Sequence, residues 1–290
     1  MRKPHVLVLA LALGTVGVIH IPDTHAQTAR AVREQAEASM VLTGNIDIGT
    51  AGQVEAFRLD HRDKVNPAIA GFLEDAVREW RFEQVIRDGQ AVPARTPVSI
   101  RLGGSVNPDG TQRVTLLAAN FQRYDPDATD EVTRLDAPPP KYPEEVFQMG
   151  GSGDVLLLVQ VGRDGRVRDV AAEQVNLRVA LAEQKMRRMR DKLATISVAA
   201  ARRWTFRAPT TGPLKDEASW TVRVPVKFST GEERGQGYGR WQAYVPGPRQ
   251  QAPWRADKVL GEDAAALLPA GGVYMADSSK GPQLLTPLGG

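Results

Sequence analysis

REWRF, Arg78 to Phe82, and RRWTF, Arg202 to Phe206, are the two stretches on which the reading of this chain turns. Each closes a run of helix formers, sets a Trp and a Phe two residues apart, and is followed by a glycine, Gly89 or Gly212, and then by an apolar stretch. Residues two apart share a face only in extended backbone, whereas a helix stacks residues three and four apart. The Trp-x-Phe is therefore read as a helix-to-strand junction. Trp80, Phe82, Trp204 and Phe206 become the expected core anchors, because aromatic rings bury the most area per residue.

Working outward, the segments before the two junctions match in kind. GNIDIGTAGQVEAFRLD, from Gly44 to Asp60, and GDVLLLVQVGRDGRVRDVAAE, from Gly153 to Glu173, each give an apolar strand, a turn ending in glycine and a second strand opening on Val54 or Val167. Gly52 ends the first turn and Asp164-Gly165 the second, and Asp-Gly is among the strongest short hairpin signals. A helix follows each hairpin. The first is expected from about Pro67 to Glu79, with Ile69, Phe72, Leu73, Ala76, Val77 and Trp80 as its apolar stripe. The second is expected from about Leu193 to Arg203, with Ile196, Ala200 and Trp204 on one side and Val179 to Lys192 as an insertion that lengthens it. Each unit then closes on a strand containing proline, Thr96 to Leu102 with Pro97 and Trp220 to Phe228 with Pro225. Proline cannot donate to a ladder, so both strands are expected at a sheet edge or a bulge.

The fold class that follows is α+β: tandem two-layer domains, each a small antiparallel sheet with a helix on one face. The expected divisions are 1–26, a signal peptide or anchor; 41–102, the first copy; 103–139, a linker, with the stiff APPPKYP, Ala137 to Pro143, running on into the next unit; 140–228, the second copy; and 229–290, an irregular Gly/Pro-rich tail.

The totals narrow the function. The chain has 290 residues, 42% hydrophobic and 24% charged, as expected of a globular protein. Arg2 and Lys3 precede an apolar run from Val6 to Ile21, and Thr24-His25-Ala26 offers a cleavage site. Export with cleavage after Ala26 is the preferred expectation and a retained anchor the alternative, since the run falls short of the roughly 20 apolar residues of a spanning helix. The net charge is +3, and removing Arg2, Lys3 and Asp23 with the leader lowers it by one, too little to argue for nucleic acid. Lysines and arginines cluster in KMRRMRDK, Lys185 to Lys192, read as a solvated helix face.

There is no Cys, and three of four histidines lie in the leader, leaving His61. A lone His without Cys builds neither a His/Cys zinc site nor a Cys-His pair, so no metal, no cofactor and no catalytic residue are expected. Carboxylate chemistry is not excluded by composition. The acidic pairs Glu144-Glu145 and Glu232-Glu233, however, read as ordinary surface charge.

The second copy also resembles the C-terminal domain of TonB energy transducers. The resemblance covers about 140–228 and rests on Tyr142-Pro143 before a short helix, Gly153 before the first strand, the Asp164-Gly165 hairpin, Trp204-Thr205-Phe206 before a proline, and the closing Val224-Pro225-Val226-Lys227-Phe228. The first copy, 41–102, is a weaker likeness without the Tyr-Pro. The resemblance implies a non-catalytic periplasmic domain that binds outer-membrane receptors by strand pairing, near Val222, Val224, Pro225, Val226 and Phe228. The competing reading of those apolar side chains is plain core and sheet. The family's long Pro/Lys-rich rod is missing here, which keeps open a soluble periplasmic scaffold for another envelope partner. A homodimer by strand exchange, and contact with an inner-membrane proton channel complex if the N-terminus is retained, also stay open.

Overall fold

The computed structural model describes residues 37–106, 112–229, 238–255, 265–277 and 281–288. The expected leader, 1–26, and the pair Glu232-Glu233 lie outside them. Among the described residues no helix is long and apolar enough to cross a membrane. The fold is mixed α+β, with every strand pair antiparallel.

The first sheet opens with β1 (Glu37–Ile48) and β2 (Val54–Leu59), which form the expected hairpin. Helix α1 (Pro67–Arg78) follows, its Asn66 side chain accepting from the Ala68 amide at 2.9 Å as an N-cap. The minor hairpin β3 (Ile86–Arg87) and β4 (Gln90–Ala91) turns on Asp88-Gly89, and β5 (Ala94–Val106) then pairs with β1 from Ala94 to Gly104. Ala70, Leu73, Val77, Trp80 and Phe82 pack on Leu42, Ile46, Ile100 and Leu102 from one face of this sheet. Phe72, expected in the stripe, is 40% exposed, because the helix turns Ala70 and Leu73 inward instead.

Next come β6 (Gln112–Asn120), which adds to β5, and β7 (Thr133–Asp136). Within 103–139 the RVTLLAANF stretch, whose apolar run reads as a short strand, is β6, and β7 is added on the way from one sheet to the other. Pro97 is not on an edge strand, since β5 lies between β1 and β6. Its missing N–H is tolerated because β6 leaves β5 at Ser99, opposite Asn120, two residues short of the proline.

The second sheet follows helix α2 (Glu144–Gln148) with β8 (Gly153–Gly162) and β9 (Val167–Leu177). Helix α3 (Glu183–Ala201) starts ten residues before the expected Leu193. Met186 and Met189 are fully buried and extend the stripe of Leu193, Ser197 and Ala200, while Lys185, Arg187, Arg188 and Lys192 are exposed. In KMRRMRDK two methionines are thus core at helical spacing, and most of the charged residues form an exposed face. β10 (Thr205–Arg207) pairs with β7, and β11 (Ser219–Phe228) pairs with β8 over ten positions. Tyr142 sits edge-on to both Phe147 and Phe228 and donates its hydroxyl to the Gly151 carbonyl.

The same local geometry occurs at both junctions. Gly52 and Gly165 adopt φ +79° and +74°, the amides of Phe82 and Phe206 donate to their carbonyls at 2.8 Å, and isolated bridges join Gln53 to Arg81 and Arg166 to Thr205. Trp80 and Phe82 stand edge-to-face at 6.4 Å, Trp204 and Phe206 at 6.5 Å, and all four are at most 3% exposed.

The described residues after Phe228, expected to be an irregular tail, add two short strands. β12 (Gln242–Tyr244) joins β1, and β13 (Tyr274–Met275) joins β11. Between them the chain follows the outer edge of β9, where Leu177 and Val245 exchange hydrogen bonds and the Gln250 amide donates to the Glu173 carbonyl. Its last described part returns to the first sheet, where Leu284 bridges Phe82. A Gly/Pro-rich composition hid this because the order comes from long-range pairing, with no local period to read.

Candidate partner-binding site

β11 carries the expected partner-binding residues, and its alternation decides what they offer. Val222, Val224, Val226 and Phe228 point into the core against α3 and are 0%, 6%, 8% and 2% exposed. Their side chains are thus unavailable to a partner at this edge. The opposite face of the strand carries Arg223, Pro225 and Lys227.

The backbone alternates as well. The Ala276 amide donates to the Thr221 carbonyl at 2.9 Å, so the odd-numbered residues turn their main-chain groups outward, away from β8. Among the described residues β13 covers that edge at Val222 and Arg223. Beyond it the outward residues are Pro225, which has no N–H, and Lys227. The structure thus brings the five predicted residues onto one strand, with the chain's own C-terminal segment already pairing with its first half.

Arg223 is missed by sequence reasoning because a charged residue in an alternating strand reads as surface. It is 1% exposed. Its Nε and Nη2 hold the two Glu173 carboxylate oxygens at 2.7 and 3.0 Å, and its Nη1 donates to the Ala276 carbonyl at 3.2 Å. Arg249 approaches the same carboxylate at 3.3 Å. The C-terminal segment therefore seals the ion pair and covers Leu156 and Leu158 with Leu268, Tyr274, Ala252 and Ala276. Burial pushes the Tyr274 phenol well above its ordinary pKa.

A cavity of about 440 Å³ opens between the two sheets. Val41, Thr43 and Arg101 line one side, Asp154, Arg178 and Lys227 the other, and Arg240 lies on the connecting segment. Arg178 grips Asp154 at 2.7 Å to both oxygens. Tyr238 fixes the mouth: its hydroxyl donates toward the Asp60 carbonyl at 2.7 Å and accepts from the Thr43 amide at 3.2 Å. His61 is exposed and stands edge-on to Tyr238 at 5.3 Å. Among the described residues no cluster of three His, Cys, Asp or Glu forms a metal-holding group.

The described residues form a mixed α+β fold in which the apolar side chains of β11 are buried and its outward main chain and Lys227 are left at the edge. Over 102 residues, 35% of its length, the chain is 36% identical to Protein TonB of Xanthomonas campestris pv. campestris strain B100, and equally to Protein TonB of a second strain of that pathovar. The match covers 40% of each relative, so the chain spans less than half the length of the curated relatives it matches. This similarity supports a TonB-family C-terminal domain in the chain. No protein-family model matches the chain. No solved structure matches it.

Proposed function

We propose that the chain is a non-catalytic, TonB-type binding protein of the periplasm, exported by its leader. It contacts an outer-membrane TonB-dependent receptor by strand pairing along β11 and supports energy-coupled uptake. The match to Protein TonB carries this reading. In it, 41–102 and 140–228 are two copies of one unit, supported by the recurrence of the glycine turn and the Trp-x-Phe junction. An incoming strand gains its affinity from main-chain hydrogen bonds, so Val222, Val224, Pro225, Val226 and Phe228 act by placing the strand.

The seating of β13 favours a second reading: a soluble periplasmic scaffold whose edge is closed in cis and which serves another envelope partner without energy coupling. One experiment separates them. Because the chain has no Cys, Lys227→Cys places a single thiol beside the edge. Extended N-terminal segments of TonB-dependent receptors, synthesised with one Cys, are expected to crosslink there and not at Arg187→Cys on the exposed face of α3. Equal yields at both positions, or none at either, would sink receptor contact through β11.

A further inference from the structure

We propose that the cavity between the two sheets is a second binding site, which takes the carboxylate end of an extended peptide. Arg101 carries the inference. It is 5% exposed, its Nη1 donates to the Ser39 hydroxyl at 3.1 Å, and its guanidinium carbon lies 3.9 Å from the centre of the Tyr244 ring. Its Nε is buried and makes no hydrogen bond among the described residues, and no carboxylate there pairs with the group. A cation taken out of water without a counter-charge is costly, and stacking on an aromatic face offsets only part of that. A ligand carboxylate is the planar, two-oxygen partner that a guanidinium fork matches best.

The rest of the lining agrees in sign. Beside Arg101 the lining holds Arg178, which engages Asp154, its one carboxylate, and the further cation Arg240. The volume of about 440 Å³ falls within the range of small-ligand sites.

An extended chain is favoured over a compact anion by the edge of β1. β12 leaves β1 at Ser39 and β2 joins it at Gly44, so no strand among the described residues covers Val41 on that side. The Thr43 carbonyl accepts from the Asp60 amide, which places the outward groups on the odd residues; Val41 therefore turns its N–H and C=O the same way. The Val41 side chain lines the cavity and is 40% exposed. A peptide laid along β1 gains the Val41 main-chain bonds and sets its terminal carboxylate on Arg101, which stands opposite Val41 on β5.

The test uses the full chain and two pools of random tetrapeptides, one with free C-terminal acids and one amidated, compared by equilibrium dialysis with mass-spectrometric readout. The acid pool is expected to be retained at least tenfold over the amidated pool, with retention falling as salt rises. Arg101→Gln should abolish the preference. Because that variant empties a buried site, Val41→Trp is the second arm: it fills the cavity from an exposed position and should block the acids with thermal stability unchanged. Equal retention of the pools, retention of neither, or a preference that survives in either variant would overturn the proposal. The acid-over-amide preference and its loss in Arg101→Gln are read with no receptor segment present, so they can fail or hold apart from the β11 crosslink.

Discussion

Gly52 and Gly165 are where the backbone leaves no choice. Both hold a left-handed φ, and a Cβ at either would stand against the carbonyl oxygen of Phe82 or Phe206, far inside van der Waals contact. Gly165→Ala and Gly52→Ala are expected to cost at least ~2 kcal/mol each by denaturant unfolding, through strain and lost Phe-amide bonds. Gly71 is the control, since its Cβ would meet nothing within 4 Å inside α1. Gly71→Ala should stabilise by about 0.5–1 kcal/mol. Asp47 shows a different local effect. Hydrogen bonds from Arg95 and then Arg58 hold its pKa at about 2, down from 3.8, and tie β2, β1 and β5 together. A lowered carboxylate pKa contributes stability above the ordinary value, and that contribution is lost as pH falls toward the folded one. Wild type should therefore exceed Asp47→Asn by up to ~1 kcal/mol near neutrality. Thermal melts at stepped pH should show the gap close between pH 3.8 and about 2.

β13 is two residues long, yet it decides how much of β11 is exposed. A strand that short is held by what surrounds it: the Ala276 amide on Thr221, Arg255 on the Ala276 carbonyl at 2.9 Å, and Tyr274 packed over Leu156. Ala276→Pro removes the donor and should release β13 while leaving the β8 side of β11 intact. Hydrogen exchange reads this directly. The outward Arg223 amide should exchange at least tenfold faster and the amides of Val224 and Val226 should not change; a uniform rise would mean that the whole sheet had loosened. If β11 is the receptor edge, the same variant should crosslink more strongly through Lys227→Cys.

The C-terminal segment acts at the scale of the molecule by touching the first unit at both its ends and the second sheet between them. It leaves Tyr238 on β1, adds β12, follows β9, covers Leu156 and Leu158, caps β11 and returns to Phe82. Arg81 and Glu83 then receive from Gln283 and Leu285 what Thr205 to Arg207 receive from β7. Truncation after Ser229 should bare Leu156, Leu158 and the Arg223–Glu173 pair. Losing that cover is expected to cost several kcal/mol, about 2–4 °C of Tm each for a protein of this size. A Tm drop beyond ~8 °C with new binding of a hydrophobic dye is the expected result; an unchanged melt would show that the two sheets need no clasp.

The two Trp-x-Phe junctions, both glycine turns and both helices are legible in the chain because their signals are local: a change of period from 3.6 to 2, a residue able to take positive φ, and an apolar stripe. The order β1, β2, α1, β5 and its counterpart β8, β9, α3, β11 follows from those signals alone. Where a short strand finds its partner is another matter. β12 and β13 carry three and two residues, too few for any periodicity, and they exist only because distant residues, Ser39 opposite Gln242 and Val222 opposite Met275, offer an open edge and an apolar face. Arg101 and Arg223 likewise read as surface cations until the second layer closes over them, since burial is a property of neighbours far along the chain. Sequence by itself determined the two hairpin-helix-strand patterns and the strand that bears the candidate edge. Tertiary structure decided that this edge is half-occupied and that a cationic cavity lies between the sheets, because both depend on long-range pairing that no local stretch encodes.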